Sequence, residues 1–330
     1  MNVPGGDSSV LRRLNTAAVL RGLRDGGEPT LTELAARAGL SRPTTEDVLA
    51  DLAGRGLVTA AAARQGRGRP ARRYRFHAAA GHALGVGIGA AHVGVFVADL
   101  AGEAAARHHA VLGHGWPPAE RLAAVRTAVR AALAKAGVER SALWAAGAGT
   151  PGVVTADGRV ARCEVLPGWA GVELGRVLGR ALGRPVLVDN DANLAALAER
   201  WAGAARGADD VLYVLAGEHT GMGVVAGGRL HRGRSGAAGE VGVRPGLGLS
   251  GPADDDAMVH GIAGAALALD PEVVVVAGAG DRLMETLRRR VRPLCVTPVR
   301  IEAAELGADA VGLGALRLAL DHVERDLFRV

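Results

Sequence analysis

The stretch that most constrains this chain begins at residue 185 as Pro-Val-Leu-Val-Asp, continues as Asn190-Asp191-Ala192-Asn193, and then becomes an alanine-rich run to Arg200. A short β-branched run that stops on Asn-Asp-Ala-Asn and turns at once into a helical pattern puts Asn190 and Asp191 at the carboxyl end of a buried strand. Ligands of open α/β sheets bind at that end. An amide that donates and accepts, beside a carboxylate able to take a hydroxyl proton, suits a polyhydroxy ligand. The same two residues also suit the N-cap of the next helix with no ligand, and both readings stand.

Farther along come Gly236-Ala237-Ala238-Gly239-Glu240. Asn190-Asp191-Ala192-Asn193 followed at this distance by that segment resembles the ROK family, which holds bacterial sugar kinases and sugar-responsive transcriptional regulators. The resemblance covers nearly the whole chain. It implies an α/β protein: an N-terminal winged helix-turn-helix plus a two-lobed actin-like ATPase (ribonuclease H-like) domain. It also implies a sugar site made of Gly152, Asn190, Asp191 and Glu240, with Asp191 as the remnant general base.

Where the family's kinases carry Asp-x-Gly-x-Thr in their first phosphate turn, this chain has Gly87, Gly89 and Ala91, so both reactive side chains are missing. The second phosphate loop aligns with Gly217-Glu218-His219-Thr220-Gly221. Such loops converge backbone N–H groups on an anion, which Glu218 would repel. Beyond Glu240 the family places a histidine and a cysteine-rich zinc loop, yet the chain reads Val241-Gly242-Val243-Arg244-Pro245 and then runs to Asp254-Asp255-Asp256 without His or Cys. Zinc takes about four N or S ligands, so no cofactor is expected: the zinc and ATP/Mg sites are both predicted lost. The Asp triplet suits a hard cation or, more simply, a solvated helix start.

Charge is distributed unevenly. Residues 1–77 hold 13 arginines against 7 acids, net +6, within a chain whose formal charge is +5, so the remainder is close to neutral at −1. A basic excess confined to one small segment points to a polyanionic partner for that segment alone. Leu11, Leu14, Ala18 and residues 19–23 recur at helical spacing, Thr30-x-x-Glu33 is a capping box for a helix over 31–38, and Ser41 is the N-cap of a third helix whose Val48, Leu49 and Leu52 face inward. Two helices joined by the turn at Gly39 make a helix-turn-helix, with the later helix entering the major groove of double-stranded DNA. Ser41, Arg42, Thr44 and Thr45 are its expected contacts. The acids Glu46, Asp47 and Asp51 on the same helix count against it unless they point away from phosphate. A wing loop with Arg64, Arg67, Arg69 and Pro70 resembles segments that lie in a narrow minor groove.

The expected organisation is a DNA-binding domain over 1–77, a linker over 78–82, and a two-lobed body over 83–330. Within the body, strands are expected over 84–88, 92–99, 103–111, 142–148, 211–215, 222–226 and 273–276, with a helix over 118–136 and a last helix from 309 to about 321. Residues 149–152 are expected as a tight turn. Trp169 suits either the ligand cleft or plain core. No apolar run reaches the length of a membrane span, and residues 1–7 lack the marks of a signal peptide. A cytoplasmic protein is expected, with Cys163 and Cys295 as buried thiols. The favoured function is a repressor of carbohydrate-related genes, working as a homodimer or tetramer, its body sensing a sugar or sugar phosphate. A sugar kinase and a ligand-free dimerisation scaffold are the alternatives.

Overall fold

The computed structural model describes residues 8–24, 27–61, 71–216, 220–241 and 255–327. The chain divides into two compact units, one of Met1–His82 with Asp99–Glu103 and Leu320–Val330, the other of Ala83–Ala98 with Ala104–Ala319. Among the described residues no helix is long and apolar enough to cross a membrane.

In the first unit α1 (Ser8–Arg24), α2 (Leu31–Ala38) and α3 (Arg42–Gly54) precede an antiparallel hairpin of β1 (Val58–Ala61) and β2 (Arg73–Phe76). The Thr30 hydroxyl accepts from the Glu33 N–H while the Glu33 carboxylate accepts from the Thr30 N–H, the expected reciprocal cap, and Gly39 ends α2 in the left-handed conformation. Ser41 caps α3 by accepting from the Thr44 N–H. Val19, Leu20, Leu23, Leu34, Leu49 and Leu52 are buried together with Leu57. Leu11 and Leu14, which recur at helical spacing with Ala18 and residues 19–23, are 62% and 60% exposed. A groove of about 400 Å³ runs between α1 and α3, so Leu11 lines an open channel and the buried face of α1 starts at Thr16.

The second unit holds two five-stranded sheets. The first has the order β5-β4-β3-β6-β9, built from β3 (His82–Ile88), β4 (His92–Asp99), β5 (Ala104–Val111), β6 (Leu143–Thr150) and β9 (Val186–Asn190). Its aliphatic face packs on α4 (Pro118–Ala136) and α5 (Leu174–Leu182). The short hairpin β7 (Val153–Val154) and β8 (Val160–Arg162) follows β6, which runs on through Gly149 and Thr150 where a turn was expected. The second sheet has the order β12-β11-β10-β13-β14, from β10 (Val211–Leu215), β11 (Gly221–Ala226), β12 (Arg229–Leu230), β13 (Val273–Ala277) and β14 (Arg300–Ala303). Here β10, β13 and β14 are parallel, and the two inner strands β10 and β13 are aliphatic and buried over their first four residues, as parallel strands covered on both faces are, whereas the edge strand β14 buries only Ile301. α6 (Asp191–Ala202), α7 (Asp255–Leu269) and α8 (Asp281–Val291) complete this half.

α9 (Ala310–Leu327) runs longer than expected and lies backbone against backbone on the first sheet. A Cβ at Gly147 would stand 1.9 Å from the Ala315 carbonyl oxygen, and one at Gly85 would stand 2.2 Å from that of Gly312. Only glycine allows this approach. The acidic run also has a structural explanation: Asp255 pairs with Arg282 at 3.0 Å and Asp256 with Arg290, which ties the start of α7 to α8. Those two carboxylates are committed to arginine, which corrects the hard-cation reading; Asp254 lies outside the described residues. Cys163 and Cys295 are half-buried, not buried as expected.

Candidate functional site

Two separate surfaces carry the residues singled out by sequence. On α3, Ser41 and Arg42 are exposed and Thr44 is half-exposed. Thr45 is not available to a base: it is fully buried and its hydroxyl donates to the Ser41 carbonyl at 2.9 Å. One residue of difference turns it into the core, because Thr45, Val48, Leu49 and Leu52 share the inner face of a helix with 3.6 residues per turn. Asp51 is held by Arg12 at 3.2 Å and Arg55 at 3.9 Å, which removes one of the three acids from competition with phosphate. Glu46 and Asp47 remain exposed. The wing arginines Arg64, Arg67 and Arg69 lie outside the described residues, and Arg72 and Arg75 beside them are exposed.

The second surface is a pocket of about 400 Å³ in the other unit, lined among others by Gly89, Gly152, Cys163, Asn190, Asp191, Gly221 and Glu240. β9 ends at Asn190, and the side chain of Asn190 is the N-cap of α6, accepting from the Asn193 N–H at 3.1 Å. Its amide group then donates both to the Gly152 carbonyl and to Glu240 Oε1, each at 3.1 Å. The two readings of Asn190 therefore coexist: one oxygen caps the helix while the nitrogen organises the pocket wall. Gly152 has φ +97° and a Cβ there would meet the Arg162 carbonyl at 2.1 Å, so the turn after β6 requires glycine. Gly239, at φ +87°, would similarly strike the Met222 carbonyl at 1.9 Å, and this tight passage sets Glu240 in place.

Asp189, one residue earlier and facing away, is buried and accepts from the Asn190 N–H, the Asn193 side chain and Arg232 Nε at 2.9, 2.9 and 2.6 Å. Sequence reasoning passed over it because an aspartate inside a strand gives no local clue to a partner on a later loop. Trp169 is core: it is fully buried and donates from its indole N–H to Thr150 Oγ1 at 2.8 Å.

Asp191 lines this pocket and also an adjoining cavity of about 320 Å³ formed by Gly87, Gly89, His92, Tyr213 and Gly278. Burial pushes the Asp191 carboxyl above the usual carboxylate range, against the N–H of Ala192 that stabilises its charge. Glu240 is raised too, first by burial and then by the nearby Asp191, with Arg162 opposing. Burial likewise raises the Cys163 thiol. Because the folded-state values exceed the ordinary one of about 4, these acids stabilise the fold fully at low pH and lose that contribution as pH rises through their raised values. Asp191→Asn is therefore expected to stabilise the ligand-free protein at neutral pH by about 1 kcal/mol, and to have no such advantage in acid. Urea unfolding of both proteins across this range checks it; a gain that stays constant with pH contradicts it.

The end of β3 is crowded by α9. A Cβ at Gly87 would lie 2.8 Å from the Gly312 nitrogen and 3.2 Å from Val311 Cβ, on α9. Ala91 is exposed and its carbonyl accepts from the Leu112 N–H. Gly217, Glu218 and His219 of the second loop lie outside the described residues, as does the segment 242–254 in which the resemblance implies a zinc loop.

Residues 83–245 match the ROK family, and residues 14–61 match the IclR helix-turn-helix domain. The chain is 24% identical over 240 residues to a xylose repressor of Caldicellulosiruptor bescii, a match that covers 72% of this chain and 60% of that protein. A glucokinase of Halalkalibacterium halodurans is 41% identical over 103 residues, 31% of each chain. In three dimensions a ROK family transcriptional regulator, a homologue of the E. coli MLC protein, superposes with a TM-score of 0.75 at 17% identity, over 97% of this chain and 99% of that one, which establishes a shared fold. The helix-turn-helix of the first unit and the two mixed sheets of the second agree with these matches: residues 83–245 form a domain of the ROK family, and residues 14–61 an IclR-type helix-turn-helix.

Proposed function

We propose that this protein is a DNA-binding transcriptional regulator, a repressor of carbohydrate-related genes, that works as a symmetric oligomer and uses the Asn190-Asp191-Glu240 pocket to sense a sugar or sugar phosphate. The observation that carries this reading is the pairing of a basic helix-turn-helix unit with a body in which α9 occupies the space a metal-holding carboxylate at position 87 would need. The similarity to a xylose repressor supports it as well. In a dimer, two α3 helices reach half-sites about 34–36 Å apart or a multiple of that spacing. An effector bound beside Asp191 changes DNA affinity only through its different affinity for the two states of the body.

The test is a fluorescence-anisotropy titration of the full chain against DNA from its own upstream region. Nanomolar binding is expected at low salt, falling by about 10³-fold or more between about 50 and 200 mM salt if six or more phosphates are contacted. Arg42→Ala weakens it. No binding at low salt refutes the proposal.

One observation favours a second reading, a sugar kinase: Asp191 borders both cavities, as a base between a sugar and a phosphate donor must. ADP release with hexoses or N-acetylhexosamines, abolished in Asp191→Asn, would decide for it.

A further inference from the structure

A cavity of about 460 Å³ lies between α4 and α5, over the face of β3, β6 and β9, and shares no lining residue with the two pockets around Asp191. Its floor is aliphatic, with Leu84, Val86, Val129, Leu133, Leu178 and Leu182. Its deepest lining includes Ala146 on β6, which pairs with Val186 of β9, and Leu84 on β3.

The rim has the opposite character. Arg126, Arg130 and Arg140 line it against a single carboxylate, Glu139. Arg140 is fixed by donating to the Ala181 carbonyl at 3.0 Å, and Arg130 donates to Thr127 Oγ1 at 2.9 Å. Among the described residues neither Arg126 nor Arg130 forms an ion pair within 4.0 Å. An aliphatic floor gives a sugar no hydrogen-bond partners, whereas a fully apolar ligand leaves the guanidiniums unused.

We propose that this cavity is a second ligand site, for a small amphipathic monocarboxylate whose alkyl or aryl body lies on the aliphatic floor and whose carboxylate meets Arg126 and Arg130. Its volume falls in the range of small-molecule sites, about 300–1,000 Å³. Planar guanidiniums match a carboxylate in a forked geometry that a lone ammonium does not reproduce.

The test is isothermal titration of the full chain with octanoate, 4-butylbenzoate, octan-1-ol and glucose. Saturable binding of octanoate or 4-butylbenzoate is expected, and which of the two binds tighter tells an alkyl from an aryl body. Octan-1-ol should bind about tenfold or more weaker than octanoate. The surface double variant Arg126→Gln/Arg130→Gln should weaken the acids by about tenfold or more and leave octan-1-ol unchanged. Leu133→Ala, which removes part of the little apolar surface that the lining exposes, should weaken the acids and octan-1-ol alike; if it fails to fold, the arginine pair still decides. Glucose binding should be unaffected by the double variant. The proposal is overturned if neither acid binds, or if the double variant binds the acids as the parent does.

Discussion

Replacing Glu199 by alanine is expected to destabilise the second unit by about 2–4 kcal/mol, because a fully buried carboxylate is removed and three part-buried backbone donors lose their acceptor. Glu199 stands in the last turn of α6 with no exposed surface. Oε2 accepts from the Ala204 N–H at 2.8 Å, and Oε1 accepts from the N–H groups of Glu305 and Leu306, each at 3.0 Å. The carboxylate thereby closes the end of α6 and pins a loop more than a hundred residues away. Glu199→Gln retains one acceptor oxygen and turns an NH₂ toward a donor, so it should fall between parent and alanine. Chemical denaturation, followed by the transition of the second unit, measures this. A loss below about 1 kcal/mol in Glu199→Ala would mean that the loop relaxes and finds other partners.

Arg121→Met should cost about 2–4 kcal/mol, with a second effect at the pocket beside Asp191. Arg121 sits on α4 with its side chain wholly inside, donating to the carbonyls of Gly89 and Ala90 at 2.8 and 3.0 Å and of Gly113 at 3.1 Å. Burial lowers its pKa from the ordinary arginine value, yet guanidinium remains charged at any working pH. Methionine keeps the stem's volume and strands three carbonyls. Gly89 and Ala90 line the pocket beside Asp191, so a loosened turn should weaken whatever ligand the pocket takes as well as the fold. Denaturant midpoints together with ligand titrations on the folded variant separate the two effects. Unchanged stability would remove Arg121 from this role.

Local physics was readable in advance. The capping box of Thr30 and Glu33, the stop at Gly39, the Ser41 cap, the spans 92–99, 118–136 and 211–215, and the strand that ends at Asn190 all depend on hydrogen bonds and hydrophobic periods within a few residues of one another. The polar pocket was partly readable for the same reason, since Asn190 and Asp191 are adjacent and Gly152 announces a turn. That Glu240 completes it needed a known family pattern, because the Asn190 to Glu240 hydrogen bond joins residues 50 positions apart.

What the linear chain settles here is which segments become helices and strands, where they are capped, and that positive charge gathers at the front. Three-dimensional packing alone decides the rest. It turns Thr45 inward, leaves Leu11 and Leu14 in water, uses Arg121 and Glu199 as interior clamps, and makes glycine mandatory at positions 85 and 147 so that α9 can touch the sheet. The reason is range: capping and periodicity act between near neighbours along the chain, whereas burial, unpaired donors and van der Waals overlap depend on atoms that only folding brings within a few ångströms.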